Sequence, residues 1–479
     1  MPPRLLHYSD LENVYDTPDA AGRLATLLQD RAGDDAILAG SGDNTAPGVL
    51  SLVTEGRQSL VLYDAIQPDV ETFGNHDFDY GPAGTLDIVR ASPQTWVSSN
   101  TYLPSDDGVD TDLAPFGRDD GVVPHTIETI DGVRVGFFGV LDADTPALNP
   151  AAGDLTVTDP IEAGHEAVSA LREHGVDHVV ALSHLGRGDD DLAELVDVDV
   201  VLGGHVPAER NERRHGTLLT RPGSGGHTVL EIDLATGDVI RHQAADYPVD
   251  EDVADELRAR LGAAGLDEVV GHVDTPIERT EATLFHGESR AGNFVADAYR
   301  WAADADVALQ NAGGVRDGPR ISGDVTIADL VSLVPFDEPV SVARLTGREL
   351  QAVLQGARTS DLGFAESHWW HAHVSGATIT WNDTADELLD IEVDGEPVDP
   401  DATYTLATTD YLFHTSDEFP ALDADHRVES LDVQHEVLAA YAREHGVDPR
   451  IEGRITRVSR DAHDATEHHA GGKPLDGEN

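Results

Sequence analysis

Seven short apolar runs constrain the fold most: RLLHYS (4–9), DAILAG (35–40), VETFG (70–74), TWVSSN (95–100), VRVGFFGVL (133–141), DHVVALS (177–183) and VDVVLGG (198–204). Several are continuous rather than alternating, as strands buried on both faces must be. IEAGHEAVSALREHG (161–175) reads as an intervening amphipathic helix. Residues 1–245 are therefore expected to form a layered α/β domain with a largely buried sheet. A connecting helix is expected in 246–270, from the periodic apolar residues of VDEDVADELRARLGAAGLDEVV. A second α/β domain follows over 271–458, with a helix in GNFVADAYRWAADA and strands in VALQN, PVSVARL and ATITW. Residues 459–479 are polar and aperiodic and read as a disordered tail, its His463, His468 and His469 solvated.

Charge excludes several function classes. Thirty-one basic against ninety acidic residues give a net charge of −59, and Lys473 is the single lysine. Such an excess repels phosphate backbones and anionic membranes, so neither a nucleic-acid polymer nor a membrane is an expected partner. Concentrated salt would screen the self-repulsion, and a salt-rich cytoplasm is the expected setting. The start MPPRLLHYSD has no apolar leader and no later run has spanning length, which agrees with a cytoplasmic location. Zero cysteines rule out disulfides, thiolate metal sites and thiol catalysis.

Metal-type side chains follow the apolar runs at five places. Asp10 and Glu12 follow LLHYS; Asp43 follows ILAGSG; Asn75, His76 and Asp79 lie in GNHDFD; His184 ends VALSH; His205 follows VVLGG. One such residue after a strand is usually a turn former. Five at equivalent strand ends point to one cluster, with Gly40, Gly42, Gly74, Gly203 and Gly204 allowing sharp turns. Carboxylate, amide and imidazole without thiolate suit manganese, zinc or magnesium.

The order D-x-E, GD, GNH-D, SH, GGH resembles the calcineurin-like metallophosphoesterases, GNHDFDYG being the most specific piece. SRAGNFVADAYR, NAGGVR, LVPFDEPV, VDPDATYTLAT and TDYLFHTSDEFP resemble the C-terminal domain of the 5′-nucleotidase family. The resemblance implies a metallophosphoesterase sandwich joined by a connecting helix to a substrate-recognition domain. It also implies two divalent ions, manganese favoured, with zinc, cobalt and magnesium as alternatives. Asp10, Glu12 and Asp43 would hold the first; Asp43, Asn75, His184 and His205 would hold the second. Glu12 stands where the family usually has His, and Pro207 replaces another family ligand, leaving the first site oxygen ligands only. His76 and Asp79 resemble the catalytic dyad. Arg290, Asn311, Gly313, Gly314, Arg316, Phe336, Tyr411 and Asp417 resemble substrate-binding residues, with Phe336 and Tyr411 stacking on the base. The implied activity is hydrolysis of nucleoside 5′-monophosphates, in nucleotide catabolism, by a monomer or weak dimer. The alternatives are another phosphoester hydrolase, acting on 2′,3′-cyclic nucleotides or nucleotide sugars, and a nucleotide-binding protein with a degraded first metal site.

Overall fold

The computed structural model describes residues 3–458 except 34, 105–112, 265, 267, 359–361, 363–365, 367–368 and 416. The tail 459–479, with its three histidines, lies outside the described residues. Contacts divide the chain into two compact units: Met1–Glu281, Arg316–Asp337 and Leu362–Glu366 form one, Ala282–Val315, Glu338–Asp361 and Ser367–Asn479 the other.

Two six-stranded sheets organise the first unit. Their strands are β1 (Arg4–Tyr8), β2 (Ala36–Ser41), β3 (Val70–Thr72), β4 (Thr95–Trp96), β5 (His125–Ile130), β6 (Val133–Leu141), β7 (His178–His184), β8 (Val200–Gly203), β9 (Arg210–Arg214), β10 (Thr217–Arg221), β11 (Thr228–Asp233) and β12 (Val239–Gln243). One sheet runs β12-β11-β1-β2-β3-β4, the other β9-β10-β8-β7-β6-β5. β1 to β4 are mutually parallel, as are β6, β7, β8 and β10.

Successive side chains on a strand point to opposite faces, and both faces here are apolar. Leu5, Ile37, Ala39 and Val70 of one sheet meet Phe137, Val180, Leu182 and Leu202 of the other. Leu6, Tyr8 and Leu38 face outward under α1 (Pro18–Arg31), against Leu24, Leu27 and Leu28. Phe138, Val140, Val179 and Ala181 lie under α2 (Pro160–Glu173), against Ala167, Val168 and Leu171. The layers run helix, sheet, sheet, helix. Pro160 at the first turn and Asp159, accepting from the Ile161 and Glu162 N–H groups, start α2. The helix expected within 246–270 is α3 (Glu251–Ala263), capped by Asp250 and packed with α1 in one core through Val253 and Leu257.

Val269–Ile277 and Ile321–Thr326 pair antiparallel within the first unit. That pairing carries Arg316 and Phe336, in Arg316–Asp337, into the first unit. The second unit has a five-stranded sheet in the order Ala372–Ser375, Val307–Asn311, Thr403–Thr409, Pro339–Thr346, Arg427–Val433. Helix α4 (Arg290–Ala303) buries Phe294, Val295, Ala298 and Tyr299. Among the described residues, no helix is long and apolar enough to cross a membrane.

Candidate active site

Parallel strands place their C-terminal ends together, and loops there can converge. Asp10 lies two residues past β1, Asp43 two past β2, Asn75 three past β3 and His205 two past β8, while His184 ends β7. These loops bend through the left-handed region at four non-glycine residues: Asp10 (φ 50°), Glu12 (46°), Asp43 (53°) and His205 (73°). Such backbone costs on the order of 1–3 kcal/mol per residue and persists where surroundings over-determine it. Gly42 (φ 92°) and Gly74 let these loops approach closely: a Cβ on Gly42 would lie 2.4 Å from the Gly74 nitrogen, and one on Gly74 2.1 Å from Asp43 Oδ1.

Two groups of ligand atoms result. Asp10, Glu12 and Asp43 have carboxylate oxygens within 4.8 Å of one another, and so do the ligand atoms of Asp43, His184 and His205. Asp43 belongs to both. Asn75 is buried beside them, its Oδ1 without a hydrogen-bond partner among the described residues. His184 Nδ1 is 2.8 Å from the Ser41 carbonyl, which can only accept, so Nδ1 bears a hydrogen, and Nε2 faces Asp43 Oδ2 at 3.0 Å. Burial, with repulsion from Asp43 and Glu12, pushes the Asp10 carboxyl up to about 7 despite His184. Asp43 is buried too, but His184 and His76 outweigh burial and hold it below the usual carboxylate range. His184 is raised to about 10, Asp43 and Asp10 overcoming burial. Three crowded carboxylates, an amide oxygen unpartnered among the described residues and an imidazole oriented through Nδ1 fit divalent cations. Pro207 offers no side-chain ligand, so the Asp10 group has oxygen donors only.

His76 stands next to this cluster. Its backbone N–H donates to Asp43 Oδ1 at 2.7 Å, and its Nδ1 lies 3.1 Å and 3.2 Å from the two Asp79 oxygens. Burial disfavours the imidazolium, but Asp79 and Asp43 outweigh it and raise His76 to about 9. The Phe336 ring is 5.9 Å from the His76 ring. Arg316 forms an ion pair with Glu12.

In the second unit, Asn311 Nδ2 donates to Glu418 Oε2 at 2.8 Å and the Tyr411 hydroxyl to Glu418 Oε1 at 2.7 Å. His371 Nε2 also bonds Glu418, and it outweighs burial to keep this carboxyl below its usual range. Gly314 has no room for a Cβ, which would lie 2.2 Å from Gln310 Nε2, whereas one on Gly313 would meet only His371 at 3.5 Å. Arg290 donates to the Pro449 carbonyl at 2.7 Å, and the Asp417 N–H to Thr415 Oγ1 at 3.2 Å.

Three residues that organise these groups escape a reading of the sequence. Asp77 accepts from the N–H groups of Asp43, Asn44, Thr45 and Gly74, tying two loops to one carboxylate. It sits inside GNHDFD, which was the available signal. Asn149 donates to the Asn75 carbonyl at 2.7 Å and to Asp79 Oδ1 at 2.9 Å, and nothing local marks it. Glu418 adjoins Asp417 and looks like one more acid in an acidic chain.

The sandwich with paired donor groups at its strand ends defines a metallophosphoesterase architecture. Residues 3–209 match the calcineurin-like phosphoesterase family and 269–424 the 5′-nucleotidase C-terminal domain. The chain belongs to the 5′-nucleotidase family, which joins these two domains. It is 24% identical to the trifunctional nucleotide phosphoesterase protein YfkN of Bacillus subtilis, over 95% of this chain and 35% of that one. It is 21% identical to a 5′-nucleotidase of Diplobatis ommata, over 92% and 85% of the two chains. The fold is similar to a 5′-nucleotidase precursor from Thermus thermophilus, with TM-score 0.80, 23% identity, and coverage of 96% and 99%. The chain spans about a third of the length of the Bacillus relative.

Proposed function

We propose that this chain hydrolyses nucleoside 5′-monophosphates to nucleoside and phosphate, using two divalent cations. The observation that carries the reading is Asp43, shared by both donor groups, with the His76–Asp79 pair bonded directly beside it. Asp10, Glu12 and Asp43 are assigned to the first cation, and Asp43, Asn75, His184 and His205 to the second. When bound, the cations supply charge against the phosphoryl oxygens and lower the pKa of an attacking water. His76, protonated, donates to the transition-state oxygens or the leaving alkoxide. Asp79 holds the His76 ring by Nδ1, so Nε2 is the atom left to meet substrate. Asn149 fixes Asp79 in turn. Arg316 is assigned to phosphate, Arg290 to phosphate or ribose oxygens, Asn311, Phe336 and Tyr411 to the base, and Asp417 to ribose. Gly313 and Gly314 keep the Asn311 loop close to its ligand.

Oxygen donors at the first site and imidazoles at the second make manganese the favoured activator, with a weaker, exchangeable first ion. Zinc, cobalt and magnesium are the competitors. Relatives named as a nucleotide phosphoesterase and a 5′-nucleotidase support the substrate class. The test is phosphate release in molar KCl from nucleoside 5′-monophosphates, a 2′,3′-cyclic nucleotide, a nucleotide sugar and an aryl phosphate. The monophosphates should have the highest kcat/KM. Preference for the cyclic nucleotide or the nucleotide sugar would move the enzyme to that chemistry, and binding without turnover of any ester would make it a nucleotide binder.

A further inference from the structure

One carboxylate at the first site has two claimants. Glu12 is buried, bends through a left-handed backbone conformation, and turns its carboxylate toward Asp10 and Asp43. The same carboxylate holds Arg316 through Oε1. Arg316 is no loose surface cation; its side chain is 15% exposed and its backbone N–H donates to the Leu333 carbonyl at 2.9 Å. Its loop is tied down from both directions. Asn13, next to Glu12, donates to the Asp317 carbonyl at 2.6 Å. Buried Arg279 donates to the Pro319 carbonyl at 2.9 Å and to the Ser332 carbonyl at 2.6 Å. The backbone on either side is therefore fixed while the guanidinium sits on a candidate ligand.

An imidazole at position 12 would repel a guanidinium or ignore it. A carboxylate attracts it, and each lone pair given to Arg316 is withheld from a cation. Two oxygens of a phosphate can take a guanidinium's fork as a carboxylate's two oxygens do. We infer that Glu12 is shared between Arg316 and the first-site cation, and that a phosphoryl group, by drawing Arg316 to itself, releases Glu12 to that cation. Loading of the first ion and binding of phosphate then favour each other. The inference rests on the proposed role of Arg316 toward phosphate. Linkage requires the two effects to be equal: phosphate tightens the ion by the factor by which the ion tightens phosphate, typically about 5–150-fold.

The test is calorimetric titration of Mn²⁺ into metal-stripped protein in molar KCl, with and without phenylphosphonate, which carries phosphoryl oxygens and no cleavable ester. Two Mn²⁺ events are expected, and phenylphosphonate should tighten the weaker one by about tenfold or more, the range of such couplings. In Arg316→Met the weaker event should already be tight, and phenylphosphonate should tighten it less than in the unaltered protein, leaving only the part that direct contact between phosphoryl oxygens and cation supplies. Arg316→Lys, which keeps the charge without the fork, should retain a smaller coupling. Glu12→Gln should leave the weaker event weak under both conditions. A weaker event unmoved by bound phenylphosphonate in the unaltered protein, or unmoved by Arg316→Met, would overturn the inference and leave the proposed hydrolysis standing. Phenylphosphonate that fails to bind metal-loaded protein would overturn both.

Discussion

As the proposed charged donor at a phosphoryl centre, His76 is held by three contacts: Asp79 at Nδ1, Asp43 at the backbone N–H and Phe336 near the ring. His76→Ala should lower kcat by roughly 10²–10⁴ with little change in nucleotide affinity, read from steady-state kinetics. An unchanged kcat would remove His76 from the chemistry. Tyr411 contributes a ring whose hydroxyl Glu418 fixes. Tyr411→Ala should cost roughly 1–3 kcal/mol in kcat/KM on a nucleotide, the usual worth of base stacking, and much less on an aryl phosphate. Equal losses on both would make Tyr411 structural. The residues of the two candidate cation groups were legible because each ends a strand or follows one within four residues, in a short motif. Asp77, Asn149 and Glu418 were not, because they act through hydrogen bonds to partners that only the fold supplies. Asn149 is 74 residues from the carbonyl it bonds.

At the level of elements, β3 carries an acid with no solvent contact. Glu71 is fully buried and accepts from the Tyr8 hydroxyl and Asn44 Nδ2, each at 2.7 Å. Burial, with repulsion from Asp77, pushes its carboxyl up to about 8, against 4.5 for the ordinary group. Between those values the native chain keeps a proton that the unfolded chain has lost. The stability it contributes is complete below about 4.5 and is lost as pH rises through about 8. The melting temperature of Glu71→Gln relative to the parent should therefore climb across this interval. A difference that stays flat would show that Glu71 is ionised in the fold. The seven strands expected from apolar runs all form, because burial on both faces selects mostly apolar residues, polar ones such as Glu71 entering where a buried partner bonds them. β9 and β12 gave no such signal. RNERR has no apolar residue, and VIRHQ few, since each strand is an edge with an exposed face. The expected division at 271 also followed the motifs rather than the contacts. Pairing of Val269–Ile277 with Ile321–Thr326 was invisible because sequence period says nothing about partners.

Over the whole molecule, a net charge of −59 sets the conditions for every measurement above. Self-repulsion at this density falls as the screening length shrinks to roughly 3 Å near 1 M salt. Melting temperature and activity should rise with KCl into the molar range; a melt indifferent to KCl would refute the expected adaptation to concentrated salt. The central claim, that cations held by the strand-end cluster drive phosphoester hydrolysis, is tested most directly by stripping and reloading. Protein dialysed against a chelator in molar KCl is assayed on a nucleoside 5′-monophosphate before and after each ion is restored. Phosphate release should vanish on stripping and return best with Mn²⁺, and it should not return in Asp43→Asn, which removes charge from both donor groups. Release that survives complete stripping, or that Mn²⁺ restores equally in Asp43→Asn, would contradict it.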